Sequence, residues 1–331
     1  LDRLAAFQVE GHTVVLIIGD YTARIGDPSG RSEERPVLPD EVLDANAKEF
    51  AEQAYRVLDR ERTELRFNSE WLAGLSYADV VRLARTMTVA RLLERDDFAK
   101  RLQASEPISV SELLYPLMQA YDSVAVRADV EIGGTDQLFN LLAGRDVMPA
   151  YGLEPQVVVT FPLLVGTDGE EKMSKSRGNY IGVTEPPEEM FGKTMSIPDA
   201  ALPQWWELLV GEESPPGEPM AWKLELARRI VGRWHGLEAA RAAEEHFTRV
   251  VREGRAPAAL PEQPLPAGDL VHLPAVVASA FGLSTSEARR LIGQGAVRLD
   301  DVRVSELDVP RALVTGKVLR AGRRRFVRLV G

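Results

Sequence analysis

The chain has no cysteine among its 331 residues, which excludes disulfides and thiolate metal sites and fits a reducing, cytoplasmic setting without requiring one. Its four histidines are scattered. His12 opens an apolar run, His235 and His246 lie on a charged helical pattern and His272 stands alone, so no partner is found at metal-ligand spacing and no protein-held metal is expected. No apolar run approaches the ~18 residues of a membrane-crossing helix, and no signal-peptide pattern opens the chain, so no membrane association is expected. Lysine is also scarce, seven of 40 basic residues.

What remains is length enough for two or three domains and the composition of an ordinary globular protein, 45% hydrophobic and 27% charged. The net charge of −10 is unevenly spread. From Asp269 to Gly331 eleven Lys/Arg face six Asp/Glu, which leaves the preceding residues at −15. A basic end on an acidic protein is compatible with a nucleic-acid partner despite the overall sign.

"HTVVLIIGD" (12–20) and "QVVVTFPLL" (156–164) are continuous β-branched runs of the kind that form buried parallel strands. Long helical patterns lie between them, including "DEVLDANAKEFAEQAYRVLD" (40–59) and "SELLYPLMQAYDSVAVRAD" (111–129). The alternation predicts an α/β fold with a parallel sheet, whose ligands bind beyond the carboxyl ends of the strands. Residues 186–253 read as helical throughout, 254–268 as a proline- and alanine-rich linker, and 269–331 as a helix followed by short basic strands. "LDRLAAFQVEGH" at the start reads as a helix already under way and ended by Gly11, so an upstream part is expected.

Five stretches carry chemistry. "TDGEEKMSKSRGNYIGV" (167–183) concentrates Lys172 and Lys175, two of the few lysines, three apart in a glycine- and serine-rich loop. A lysine is a point charge on a flexible stem, suited to an anion that moves during a reaction. "IGDPSGRSEER" (25–35) offers a tight turn with Asp27, Arg31 and Arg35; it fails the phosphate-loop pattern, having Ile25 and Arg31 where glycine and lysine are needed, and it also reads as a plain turn. "YPLMQAYD" puts Tyr115, Gln119 and Asp122 on one helical stripe, either a polar pocket wall or an exposed face. "EIGGTDQLFN" (131–140) has Gly134 where a backbone can approach a ligand, then Asp136 and Gln137; a glycine bend that ends a strand is the alternative. Arg289, Arg290, Arg323, Arg324 and Arg325 in the tail are candidate nucleic-acid contacts whose binding would weaken as salt rises.

In this order and spacing, "GDPSGR", "YPLMQAYD", "GGTDQ" and "KMSKS" resemble the class I aminoacyl-tRNA synthetases, and among them the bacterial tyrosyl enzymes; the tail resembles their S4 RNA-binding domain. The resemblance implies a Rossmann-like catalytic domain (1–185) with a dimer-forming insertion at about 82–108, a helical domain (186–253), the linker (254–268) and a small α+β S4-like domain (269–331). It implies ATP-dependent activation of L-tyrosine, with Mg²⁺ accompanying ATP, then transfer to tRNA(Tyr), by a cytoplasmic homodimer. Carried over position by position, Asp27, Tyr115 and Gln119 would hold the tyrosine ammonium with Thr22 close by, and Asp122 would accept the phenol hydroxyl. Gly134 and Asp136 would meet the ATP ribose, Gln137 would lie beside the reacting carboxylate, Lys172 and Lys175 would embrace the departing pyrophosphate, and Arg31 and Arg35 would assist. The family's His-Ile-Gly-His type motif is not in this sequence, so half of the ATP site is expected to be wanting. A tryptophanyl enzyme and a non-catalytic RNA-binding relative are the alternatives.

Overall fold

The computed structural model describes residues 1–24, 40–211, 217–257, 260–322 and 325–331. The chain divides into two compact units, Leu1–Leu163 and Leu164–Gly331.

In the first unit, helix α1 (Asp2–Val9) leads to strand β1 (Val14–Ile18), α2 (Asp40–Ala54), β2 (Thr63–Phe67) and four helices, α3 (Ser69–Leu72), α4 (Tyr77–Ala84), α5 (Val89–Leu92) and α6 (Asp96–Gln103). The long α7 (Val110–Val126), β3 (Val130–Gly134), α8 (Leu138–Val147) and β4 (Val157–Phe161) complete it. The strands form two parallel pairs, β1 with β2 from Val14↔Thr63 to Ile18↔Phe67, and β3 with β4 from Val130↔Val157 to Gly134↔Phe161. Parallel pairing needs a crossover, supplied by α2 for the first pair and α8 for the second.

Helix α7 is the centre of this unit. Ser109 caps it in a reciprocal capping box with Glu112. One face sends Leu117, Ala120 and Val124 into a core with Leu83, Leu92, Val147 and Met148, at the spacing of a helical stripe. Asp122 is buried as well, on a different face.

The second unit opens with the lysine loop and the helices α9 (Pro187–Ser196), α10 (Leu202–Val210), α11 (Pro219–His235) and α12 (Leu237–Phe247). Trp205 and Trp206 are buried among Ile197, Leu202 and Leu226. After these come β5 (Glu262–Pro264), β6 (Leu270–His272), α13 (Leu273–Phe281), α14 (Thr285–Gly293), β7 (Val297–Leu299), β8 (Val302–Arg303), β9 (Asp308–Pro310), α15 (Arg311–Val314), β10 (Val318–Ala321) and β11 (Arg325–Val330). The larger sheet runs β5-β11-β10-β7-β8, and its apolar side chains pack on α13 and α14 around Val277, Ile292, Leu319 and Leu329. Part of the proline-rich stretch expected as a linker is thus structural. β5 adds a parallel edge to β11, where proline is tolerated because one side of an edge strand needs no ladder donor, and Leu265 enters the same core.

Candidate active site

Ile18 ends β1, and its carbonyl accepts the backbone N–H of Asn68, the first residue after β2, at 3.0 Å. That bond seats Asn68 at the carboxyl ends of two parallel strands, where an α/β sheet places its ligands. The Asn68 side chain, fully buried, accepts the Tyr21 N–H at 2.9 Å and donates to Thr22 Oγ1 at 3.0 Å and to Asp122 Oδ2 at 3.3 Å. Trp71 Nε1 donates to the other carboxylate oxygen, Asp122 Oδ1, at 2.8 Å. Gly19 makes the approach possible, since a Cβ there would lie 2.7 Å from Thr22 Oγ1.

One segment far from α7 in sequence therefore places two donors, Asn68 and Trp71, on one carboxyl group, and neither residue stands out in the sequence. The only signal is a polar residue just after the strand Thr63–Phe67 and a tryptophan three residues on, which reads as ordinary packing. Burial pushes the Asp122 carboxyl up to about 7; the Trp71 and Asn68 hydrogen bonds work against that shift, and Glu131 and Asp20 add to it. Glu131 is itself pushed up by burial, against hydrogen bonds from Ser123 Oγ at 2.7 Å and Gln156 Nε2 at 2.6 Å. One turn before Asp122, the Oε1 of Gln119 is buried without a hydrogen-bond partner among the described residues. A buried unpaired acceptor costs about 1–3 kcal/mol, so a ligand that brings a donor, such as an ammonium, recovers that cost. On the Tyr115, Gln119 and Asp122 stripe of α7, Asp122 is buried and the other two are half-buried, so the stripe is not an exposed face.

At the end of β3, a Cβ on Gly134 would come within 2.7 Å of both Asp136 Oδ1 and Leu163 Cδ2, so glycine is needed for the chain to pass. Asp136 is exposed and able to meet a sugar hydroxyl. Gln137 Oε1 accepts from Asn140 Nδ2 at 2.9 Å, and Asn140 Oδ1 accepts from Arg95 at 3.3 Å. With its oxygen committed, Gln137 has its NH₂ group to offer a carboxylate.

In the second unit, Lys172 and Lys175 stand exposed on a loop pinned by an antiparallel bridge between Val165 and Lys172. A 3₁₀ turn, Lys175–Arg177, ends at Gly178 with φ 68°, a left-handed conformation that favours glycine. Arg177 pairs with Glu171 across the loop. The tail arginines Arg289, Arg290 and Arg325 are exposed. His272, isolated in sequence, is not isolated in space: Nδ1 lies 2.7 Å from Asp308 Oδ1, and Nε2 lies 3.4 Å from an Arg289 nitrogen. Asp27, Arg31, Arg35, Arg323 and Arg324 lie outside the described residues.

Comparison with known proteins shows the family. The family model for class I tRNA synthetases of the tryptophan and tyrosine type matches residues 1–252. The chain is 49% identical to the tyrosine–tRNA ligase of Thermotoga maritima over all of this chain and 85% of that protein. It is 50% identical to the tyrosine–tRNA ligase of Moorella thermoacetica over 99% of this chain and 83% of that protein. Among solved structures, tyrosyl-tRNA synthetase from Archaeoglobus fulgidus complexed with L-tyrosine superposes with TM-score 0.54 at 26% identity, over 73% of this chain and 83% of that one. The truncated mitochondrial tyrosyl-tRNA synthetase of Aspergillus nidulans, at 21% identity and TM-score 0.56 over 73% of this chain and 78% of that one, shows the same fold.

Proposed function

The chain belongs to the class I tRNA synthetases for tryptophan and tyrosine, and from that premise we infer how its residues divide the work of a tyrosine–tRNA ligase. The activity joins tyrosine and ATP into tyrosyl-adenylate and pyrophosphate, then passes the tyrosyl group to tRNA. The observation that carries the assignment of roles is the buried Asp122, held from two sides by Trp71 and Asn68. A phenol O–H donated to this carboxylate restores what burial removes. Phenylalanine brings no donor, so the buried carboxyl keeps only its Trp71 and Asn68 bonds, and tyrosyl-tRNA synthetase is itself the standing example of selectivity built that way.

Gln119, with Tyr115 and Asp27, receives the substrate ammonium, and Thr22 supports the wall. Gly134 and Asp136 meet the ribose, and the NH₂ of Gln137 faces the carboxylate that attacks the α-phosphate. No side chain acts as a nucleophile, so rate comes from positioning and from charge met in the transition state. Lys172 and Lys175 supply that charge to the leaving pyrophosphate, aided by Arg31 and Arg35, and Mg²⁺ enters with ATP as part of the substrate. Arg289, Arg290 and Arg323 to Arg325 contact the tRNA backbone. A cytoplasmic setting goes with tRNA as substrate, and no described helix is long and apolar enough to cross a membrane.

The helices α4 to α6 form a homodimer face. They and the start of α7 expose Val89, Leu102 and Val110, while the Arg101–Glu112 ion pair at 2.6 Å braces the segment from within. Sedimentation at micromolar concentration tests this, a monomer ruling it out. The main test is amino-acid-dependent ATP–pyrophosphate exchange, measured on this chain and on the chain joined to the amino-terminal segment of a curated relative. Exchange with tyrosine and little with tryptophan is expected. Equal exchange with both would remove the role given to Asp122.

A further inference from the structure

The lysine loop carries one feature that its charge does not account for. Asn179 follows the exposed run Lys175–Gly178 and is nonetheless buried, at 6% exposure. Its side chain and backbone together make four connections within the loop at 3.2 Å or shorter, beside a longer one at 3.5 Å from Nδ2 to the Glu171 carbonyl. The backbone carbonyl accepts the Thr167 N–H at 2.8 Å. The side-chain Oδ1 accepts the Ser174 N–H at 2.8 Å, and Nδ2 donates to Asp168 Oδ2 at 2.6 Å and to the Lys172 carbonyl at 3.2 Å.

We propose that Asn179 is a positioning residue for the synthetase reaction, a latch whose amide fixes the backbone between Lys172 and Lys175. The proposal rests on the lysine roles given above. Two of the bonds straddle Met173, on the carbonyl of Lys172 and on the N–H of Ser174, so a single side chain sets the dihedral angles that separate the two cations. The other two tie that pair of bonds to the start of the loop. Asp168 is in turn committed there, because its Oδ1 accepts the N–H groups of Glu170 at 3.0 Å and Glu171 at 3.2 Å. Gly166 leaves the space, since a Cβ there would overlap the Asn179 amide.

The chemistry requires asparagine. Aspartate has no donor and would place a second carboxylate against Asp168 and a lone pair against the Lys172 carbonyl; alanine offers neither donor nor acceptor. Positions held in this way place charge for a transition state, and a shift of about 1 Å in such a group costs about 10²-fold in rate.

The test uses Asn179→Asp, Asn179→Ala and the exchanged pair Asp168→Asn/Asn179→Asp, in which the donor and acceptor of the 168–179 bond trade places. Three readouts apply to each: tryptic cleavage at Lys172, Lys175 and Arg177, the tyrosine dissociation constant with the urea midpoint, and kcat for ATP–pyrophosphate exchange. For the single variants we expect faster cleavage in the loop and a fall in kcat of about 10- to 100-fold, with tyrosine affinity and the urea midpoint near wild type. The exchanged pair should recover part of both, since it restores the 168–179 bond and keeps the Ser174 bond but lacks the one to Lys172. Wild-type cleavage and kcat in the single variants would overturn the latch. So would losses of kcat, tyrosine affinity and urea midpoint in parallel, which mean general damage. If neither the chain nor the chain joined to a relative's amino-terminal segment shows tyrosine-dependent exchange, the assigned function fails on its own, and the cleavage pattern still decides whether Asn179 holds the loop.

Discussion

The proposed tyrosine pocket of the first unit and the lysine loop of the second handle polarity in opposite ways. The pocket buries Asp122 and meets it with two donors from one distant segment, Asn68 and Trp71, an arrangement that suits selective recognition and is costly when empty. The loop leaves Lys172 and Lys175 exposed and buries only the amide that shapes their backbone. The difference follows from what each must recognise. A phenol is distinguished from a phenyl ring only where water cannot substitute for the missing hydroxyl, so its carboxylate has to be dry. A departing pyrophosphate carries so much charge that solvated cations suffice, provided that they are correctly spaced.

The largest effects should come from removing the group that defines each region, and they should differ in kind. Asp122→Asn removes a charge-assisted bond to the substrate and leaves the Trp71 and Asn68 donors mismatched; kcat/KM for tyrosine should fall about 10²-fold, with preference over phenylalanine shrinking alongside. Lys172→Ala and Lys175→Ala should each lower kcat for pyrophosphate exchange by about 10²-fold or more, with the dissociation constant of tyrosine unchanged. Equilibrium dialysis and exchange kinetics on the same preparations separate the two. If Asp122→Asn lowered kcat alone, or a lysine variant weakened tyrosine, the division between recognition and charge would collapse. A smaller step of the same kind is Trp71→Phe, which keeps an aromatic ring, though a smaller one, and deletes the indole N–H. It should raise the tyrosine dissociation constant about tenfold and leave kcat nearly intact.

How much of this was legible in the sequence follows the same boundary. The β-branched runs, the helical stripe of α7 and the lysine loop could be read because each is local, carried by neighbouring residues at a fixed period. So could Asp122, Gln119 and the paired lysines. Asn68 and Trp71 could not, since their value comes from meeting a helix about fifty residues later. Asn179 lies in the same motif as the lysines without standing out, because nothing in a string of letters shows which member of an exposed loop turns inward. The linker expected at 254–268 contains β5 for a related reason. Its prolines suit a linker as well as a strand edge, and only the partner β11 decides between them.

Protonation sharpens the comparison further. The Asp122 carboxyl sits at about 7 in the folded protein, from an ordinary 3.8. Its folded-state pKa is raised, so between those values the folded chain holds a proton that the unfolded chain has released. Stability is therefore greatest below about pH 4 as far as this group is concerned, and declines as pH rises through 7. Tyrosine binding runs the other way. The ionised carboxylate accepts the phenol hydroxyl more strongly than the neutral acid does, so affinity should increase several-fold, by about ten at most, from pH 6 to pH 8. Isothermal titration across that range checks it. A flat profile, or the same rise in Asp122→Asn, would show that this carboxyl is not the group responsible. The lysine-loop variants, by contrast, should keep the wild-type profile.

The smallest expected effect lies at the basic end, which combines features of both regions. Arg289 is exposed like the loop lysines, yet it is tethered like the pocket donors, with a nitrogen 3.4 Å from His272 Nε2 while His272 Nδ1 lies 2.7 Å from Asp308 Oδ1. A neutral His272 that carries its proton on Nδ1 satisfies both contacts, donating to Asp308 and accepting from Arg289. If Arg289 meets a phosphate, Arg289→Ala should weaken tRNA binding a few-fold and reduce the slope of log affinity against log salt by about one. His272→Ala keeps the charge but releases the tether. The slope should then stay near wild type, and affinity should drop less than twofold, the cost of ordering one arginine side chain on binding. Filter binding of tRNA at several salt concentrations resolves the two variants. A reduced slope in His272→Ala would mean that the tether, rather than the charge alone, brings Arg289 to the phosphate, and would move this end of the chain from the loop's side of the comparison to the pocket's.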